Sequence, residues 1–276
     1  MNKPFLSLLL LVTLLISSCR TKSRTELLAY STDSDSTIFY YRLGWEQIMD
    51  WGDYSAAETS YRKALSFDDN FLVGKSVLAR LTTDLEERLG LYHELDSLKN
   101  TVLGDERLVL DVYMALTQYT NLRDQKSDQT ASALQAALQI AEGNFRTVVH
   151  HYPNEVYLKS EYIEIMHSLY GSDVALDTMK SIILPSQMDN PFLMGYKAIM
   201  LAESEQYDSA LVIAKALTQQ MEGSRMAKPD AILADIYFKM GELEQAKIHA
   251  DKANLIDPNN LDASRLKRKI DNQLGL

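Results

Sequence analysis

A single cysteine, Cys19, among 276 residues leaves no partner for an internal disulfide, which excludes a disulfide-stapled scaffold. Six prolines and eleven glycines are too few for a collagen-like fibre or a low-complexity chain. Positive charge is also short. With 28 Lys and Arg against 38 Asp and Glu, the formal charge is −10, which argues against a general nucleic-acid binder, since such a protein needs cations to neutralise phosphates. What is present is ordinary globular composition, 46% apolar and 24% charged, enough to bury a core and too hydrophobic for long disorder.

The N-terminus begins MNKPFLSLLLLVTLLISSC: one charge at Lys3, an apolar run from Phe5 to Ile16 broken by Ser7 and Thr13, then small residues before Cys19. A membrane-spanning helix needs about 20 apolar residues, so this shorter run, ending at a small-residue cleavage site, reads as a signal peptide over 1–18. The piece Ile16-Ser17-Ser18-Cys19 resembles the lipobox of bacterial lipoproteins. That resemblance implies lipidation of Cys19 after removal of the leader, leaving 258 residues of charge −11. Acyl chains contribute about 0.8 kcal/mol per buried methylene and would hold the chain at a membrane without a span. Residues 19–36 are mostly polar and are expected to form a flexible tether, with Arg20, Lys22 and Arg24 near lipid head groups. In lipoproteins exported to the cell surface, acidic residues often follow the cysteine. Arg20-Thr21-Lys22 departs from that pattern and favours the periplasmic face of the outer membrane.

From Thr37 onward the apolar residues recur every three or four positions, and no sustained alternation of period two is present, so the body is expected to be all-α. Near the end, Leu233, Ala234, Tyr237, Gly241, Leu243, Ala246, Ala250, Ala253, Asp257 and Pro258 set out two helices that can approach closely over alanine, with a glycine turn between them and a proline stop. This strongly resembles a tetratricopeptide repeat (TPR). The same spacing recurs upstream, with Ala175, Ala210 and Ala246 separated by 35 and 36 residues, near the family period of roughly 34. In the pair around Tyr207, Glu205 and Gln206 occupy the turn where the family often has glycine. Tyr41, Ile48, Gly52, Tyr54, Ala57, Tyr61, Ala64 and Leu65 give a further repeat, in which Trp45 stands where the family prefers a small residue and Gly44 sits one place earlier.

The expected fold is therefore a TPR-like helical-hairpin solenoid over 37–260. Its repeats are clear at 38–70 and 156–260 and degenerate over 71–155, where helices are expected near 71–82, 84–99, 105–121 and 129–150. Leu261, Leu266, Ile270 and Leu274 form the apolar stripe of a capping helix over 261–276, with LKRKIDNQ as its solvated face.

No motif for catalysis, metal or cofactor binding is present. His93, His150, His151, His167 and His249 lack zinc-ligand spacing, and neither a glycine-rich phosphate loop nor a GxSxG elbow occurs. A non-catalytic protein without cofactor is expected. The resemblance implies a concave groove lined by the first helix of each repeat and occupied by a protein or peptide ligand. Its positions here are Phe39, Arg42, Glu46 and Met49, then Tyr157, Glu164 and His167, then Phe192, Ile199, Asp235, Phe238 and Lys239. Aromatic and aliphatic groups would anchor a partner and the charges would orient it, although Phe39, Phe192 and Phe238 also suit packing between helices. The leading expectation is a membrane-anchored adaptor with a protein partner and no nucleic acid. The alternatives are capture of a polysaccharide or small ligand, for which Trp45 and Trp51 would have to be exposed together, and an unrecognised enzyme. Monomer and homodimer both remain open.

Overall fold

The computed structural model describes residues 27–275; the expected leader and Cys19 lie outside the described residues. Among the described residues, thirteen α-helices succeed one another: α1 Asp35–Trp45, α2 Tyr54–Phe67, α3 Leu72–Leu81, α4 Leu85–Leu98, α5 Gly104–Asp124, α6 Thr130–His151, α7 Val156–Tyr170, α8 Ser172–Ile182, α9 Pro191–Glu203, α10 Tyr207–Gln220, α11 Lys228–Lys239, α12 Leu243–Ile256 and α13 Leu261–Leu274. They pair in order into six antiparallel hairpins, closed by α13 as a cap: an all-α, TPR-like solenoid. No described helix is long and apolar enough to cross a membrane.

Local chemistry sets the helix ends. The side chains of Ser34, Asp53, Asp84, Asn190 and Asn260 accept backbone N–H groups from the first turns of α1, α2, α4, α9 and α13, satisfying donors that the helix itself leaves unpaired. Gly241 turns α11 into α12 at φ +79°, the left-handed conformation that the sequence pattern required of it. At the equivalent turn between α9 and α10, Glu205 adopts φ +58°, holding the same shape at the cost of Cβ strain.

The small residues do what the spacing implied. Ala175, Ala198, Ala210, Ala214, Ala234, Ala246, Ala250 and Ala253 are all buried between helices. In the first hairpin the close approach falls at Gly44, where an added Cβ would lie 2.5 Å from the Tyr61 ring. Trp45 is buried instead against Tyr61, Tyr113 and Tyr157. Beyond it α1 continues as a π-helical turn, Glu46–Trp51, ending at Gly52 with φ +71°.

The degenerate stretch forms two further hairpins, α3/α4 and α5/α6. Nine of the ten residues of α3 are buried, because it packs on α2, α4 and α5 at once. Only Arg80 of this helix stays outside the core. Its Lys75 is buried and answered by Glu94 at 2.5 Å and Asp69 at 3.3 Å. Arg88, also buried, ties α4 to α5 through Asn121 and Asp124.

Part of the segment expected to be a tether lies against the body. The N–H of Leu28 donates to Glu155 at 2.8 Å, the Tyr30 ring meets Tyr41 and Phe71 edge-on, and the N–H of Ser31 donates to Glu106 at 2.9 Å.

The first and last parts of the solenoid also touch. Asn260 Nδ2 donates to the Gly52 carbonyl at 2.7 Å, and the Tyr54 hydroxyl donates to Asp262 at 2.7 Å. Asp257 accepts from the N–H of Tyr54 and the hydroxyl of Ser55, both at 2.8 Å. The array is thus closed upon itself through its α1–α2 turn.

Candidate functional site

The inner face is formed by the odd-numbered helices. Four of them in succession, α7, α9, α11 and α13, line a cavity of about 420 Å³, together with Gly52 and Tyr54 of the first hairpin. A second cavity of about 240 Å³ adjoins it and reaches Met49, Tyr61 and Arg80; the two share Tyr54, Glu164, Phe192, Lys228 and Asp262.

Six of the expected groove residues come together on the larger cavity: Glu164, His167, Phe192, Ile199, Asp235 and Lys239. They form a strip that crosses three hairpins, because i to i+3 or i+4 spacing keeps side chains on one face of each helix. The other six are placed elsewhere. Met49 lines only the smaller cavity. Tyr157 donates its hydroxyl to Asp50 at 2.7 Å and stacks on Trp45. Arg42 pairs with Glu155 at 3.3 Å, Glu46 is exposed, and Phe39 is exposed on the outside of α1. Phe238 packs between α11 and α13 against Ala234, Ala246, Ala250 and Ile270.

The strip is electrostatically mixed. Glu203 Oε2 lies 2.6 Å from His167 Nε2 and accepts from Ser172 at 2.6 Å, while Lys239 bridges Glu203 and Asp235. Burial would raise the Glu203 carboxyl, but the His167 and Ser172 contacts and the charge on Lys239 outweigh it and hold the group down at about 2. Glu164 has the opposite setting. Burial, with Glu161 and Asp262 nearby, pushes its carboxyl up to about 8, and the charges of Arg80 and Lys228 offset only part of that. Burial likewise raises Asp235 and lowers Lys228, whose ammonium sits 4.9 Å from the centroid of the Phe192 ring. Phe192 and Tyr196 stack at 5.4 Å and 14°, giving the cavity a flat apolar wall beside these charges. Asp50 holds the first hairpin against this wall, accepting from Tyr157, from Asn190 Nδ2 at 2.9 Å and from the N–H of Phe192 at 3.3 Å.

Sequence reading missed Tyr54, Tyr196, Glu203, Lys228 and the α13 residues Asp262, Arg265 and Lys269. Tyr196 and Glu203 lie four positions beyond Phe192 and Ile199, a signal that was available. The stretch LKRKIDNQ was read as a solvated cap face, whereas its Lys269 borders the cavity together with Arg265 just before it. Trp45 is buried and Trp51 belongs to a different packing cluster, so the two do not form an exposed pair. Among the described residues, no group of three or more His, Cys, Asp or Glu side chains is placed to hold a metal ion.

The model of the tetratricopeptide repeat family matches residues 38–71 and 231–260. Among solved structures, similarity is found to a tetratricopeptide repeat protein from Parabacteroides merdae, at 17% identity and a TM-score of 0.48, over 87% of this chain and 88% of that one. A thermophilic TPR protein of Thermus thermophilus is 19% identical, with a TM-score of 0.34, over 87% of this chain and all of the other. No curated protein matches. The matched residues fall in the first and sixth hairpins, and the chain as a whole is built as an all-α, TPR-like helical-hairpin solenoid.

Proposed function

We propose that the protein is a non-catalytic adaptor of the bacterial cell envelope, anchored through lipidated Cys19 at the periplasmic face of the outer membrane, that holds a short segment of a protein partner against its inner face. The observation that carries the binding reading is the strip from Glu164 and His167 through Phe192 and Ile199 to Asp235 and Lys239, which runs unbroken across three hairpins. An aromatic wall flanked by carboxylates and ammonium groups suits a peptide segment of mixed charge: the rings supply desolvated contact and the charges fix direction. A cavity of about 420 Å³ holds a few side chains and not a folded domain. The anchor is supported by the Ile16–Cys19 motif and by the preceding apolar run, and tethering would raise the local concentration of the adaptor beside membrane partners.

The size of the cavity, about 420 Å³, favours a second reading, capture of a small ligand, since clefts of this volume suit a compact guest. A photo-crosslinking amino acid placed at Ile199, and at exposed Val212 as the outer control, separates the two in intact cells. A discrete protein adduct at 199 that is absent at 212 and lost with Cys19→Ala supports the anchored adaptor. Identical adducts at both positions, or none at 199 with anchoring confirmed, would set the adaptor aside and leave the small-ligand reading.

A further inference from the structure

In an up-and-down array, the starts of odd-numbered helices and the ends of even-numbered ones share one edge. Over α1 to α5 that edge is apolar. Phe39 stands in the second turn of α1, Phe67 ends α2, and Leu98 and Leu103 flank the turn into α5; they are 61%, 47%, 36% and 77% exposed. Among the described residues, the opposite edge of the same helices exposes no large apolar side chain.

Three of the side chains on the apolar edge are contiguous. Tyr40 meets Phe39 edge-on at 5.1 Å and stacks on Phe67 at 5.7 Å and 10°. Lys63 lays its ammonium 4.9 Å from the Phe67 ring centroid, the posture of an amphipathic side chain at the rim of an apolar surface.

The N-terminal segment also runs along this edge. Leu28 is held by Glu155 at the start of α7 and Ser31 by Glu106 at the start of α5, with Leu27 exposed beside them. Eight residue steps separate Cys19 from Leu27 and can span at most roughly 28 Å. A chain anchored at Cys19 therefore joins the bilayer to the solenoid at this edge.

We infer that the edge bearing Phe39, Tyr40 and Phe67 rests on the membrane, with these rings in the interfacial layer of a zwitterionic leaflet. Aromatic rings with one polar or charged neighbour suit that layer, and a second apolar contact fixes the orientation that a lipid tether alone leaves free. The charge around the patch is mixed, with Asp33, Asp35 and Asp69 exposed at the same helix ends and Lys63 at its rim, so the contact rests on the rings and needs no anionic lipid. The inference rests on the proposed anchor at Cys19.

The test uses the mature lipidated chain in phosphatidylcholine vesicles, with a nitroxide attached at Leu103→Cys, which leaves the three rings in place, or, on the far edge, at Val174→Cys. Both sites are exposed, and an acylated Cys19 leaves one free thiol. Flotation reads the anchor, and relaxation of the nitroxide by oxygen against a water-soluble nickel complex reads depth. The label at 103 is expected to show an oxygen-to-nickel accessibility ratio several-fold above that at 174. Protein that floats with equal ratios at both sites keeps its anchor and overturns the docked edge. Protein that does not float overturns the anchor, and the docked edge with it.

Discussion

The backbone N–H of Tyr54 donates to Asp257 across 203 residues of chain, joining the first hairpin of the array to the last. Asp257 is buried and also accepts from the Ser55 hydroxyl and from the N–H of Asn259. Removing it strands several donors at once. Asp257→Ala is expected to cost about 2–4 kcal/mol in denaturant unfolding, with an increased radius of gyration in small-angle scattering. Tyr54→Phe, which deletes only the bond to Asp262, should cost no more than about 1 kcal/mol. Equal losses from the two would show that Asp257 does not close the array.

Gly44 sets helix propensity against packing. Alanine is favoured over glycine inside a helix by about 1 kcal/mol, yet the Cβ would sit 2.5 Å from the Tyr61 ring. Overpacking a fixed core costs roughly 1–3 kcal/mol, so Gly44→Ala is expected to destabilise on balance. Chemical denaturation of Gly44→Ala with and without Tyr61→Leu checks the cause: the smaller partner should remove most of the penalty that alanine imposes.

At Glu205 the sign reverses. An exposed non-glycine residue held at φ +58° loses about 1–2 kcal/mol to its Cβ, and glycine gives back part of that in chain entropy. Glu205→Gly should raise stability by roughly 0.5–1 kcal/mol, seen as a higher melting temperature. A lowered melting temperature would mean that the glutamate side chain contributes something the backbone geometry does not reveal.

Glu164 makes stability depend on pH. Its folded carboxyl keeps a proton up to about 8, against an ordinary value of 4.5 in the unfolded chain. The folded state therefore binds the extra proton in between, and the stability present below 4.5 is lost as pH rises towards 8. Lys159, buried and lowered to about 8, has the converse effect: its unfolded form binds more protons from about 8 to 10.5, so stability recovers there. Glu203, held at about 2, contributes stability that is lost only in more acidic solution. Denaturation midpoints should thus be lowest near pH 8, and Glu164→Gln should shrink the fall between 4.5 and 8. An unchanged fall in that variant would assign it to the other buried carboxylates, Asp50, Glu155 and Glu106, which burial also raises.

Much of the fold was legible because its helices meet over alanine. Ala175, Ala210 and Ala246 repeat at near-constant pitch, and each is buried where two helices approach. The helices of the degenerate stretch were legible within a few residues, but their packing was not, since the enclosure of α3 by α2, α4 and α5 rests on contacts between helices that no local pattern carries. The site was legible where helices are regular: Glu164 and His167, Phe192 and Ile199, and Asp235 and Lys239 keep their three-, seven- and four-residue spacings on the cavity wall. It failed in the first hairpin. Phe39 and Arg42 stand on the regular part of α1, where Phe39 faces solvent and Arg42 is taken up by Glu155, and of the two residues within the π-helical turn Glu46–Trp51 only Met49 reaches a cavity. The closure through Gly52, Tyr54, Asp257 and Asn260 has no local signature, because each partner lies some 200 positions from the other.

An open solenoid behaves as a one-dimensional chain of neighbours, so its end repeats fray first and its unfolding can proceed from either terminus. The Tyr54–Asp257 and Gly52–Asn260 contacts make the array cyclic and remove that free end. Losing either terminal hairpin then also releases the other, so amide hydrogen exchange in α2 and α12 should rise and fall together, and the whole body should melt in one cooperative step where an open array of the same length would lose its repeats in sequence.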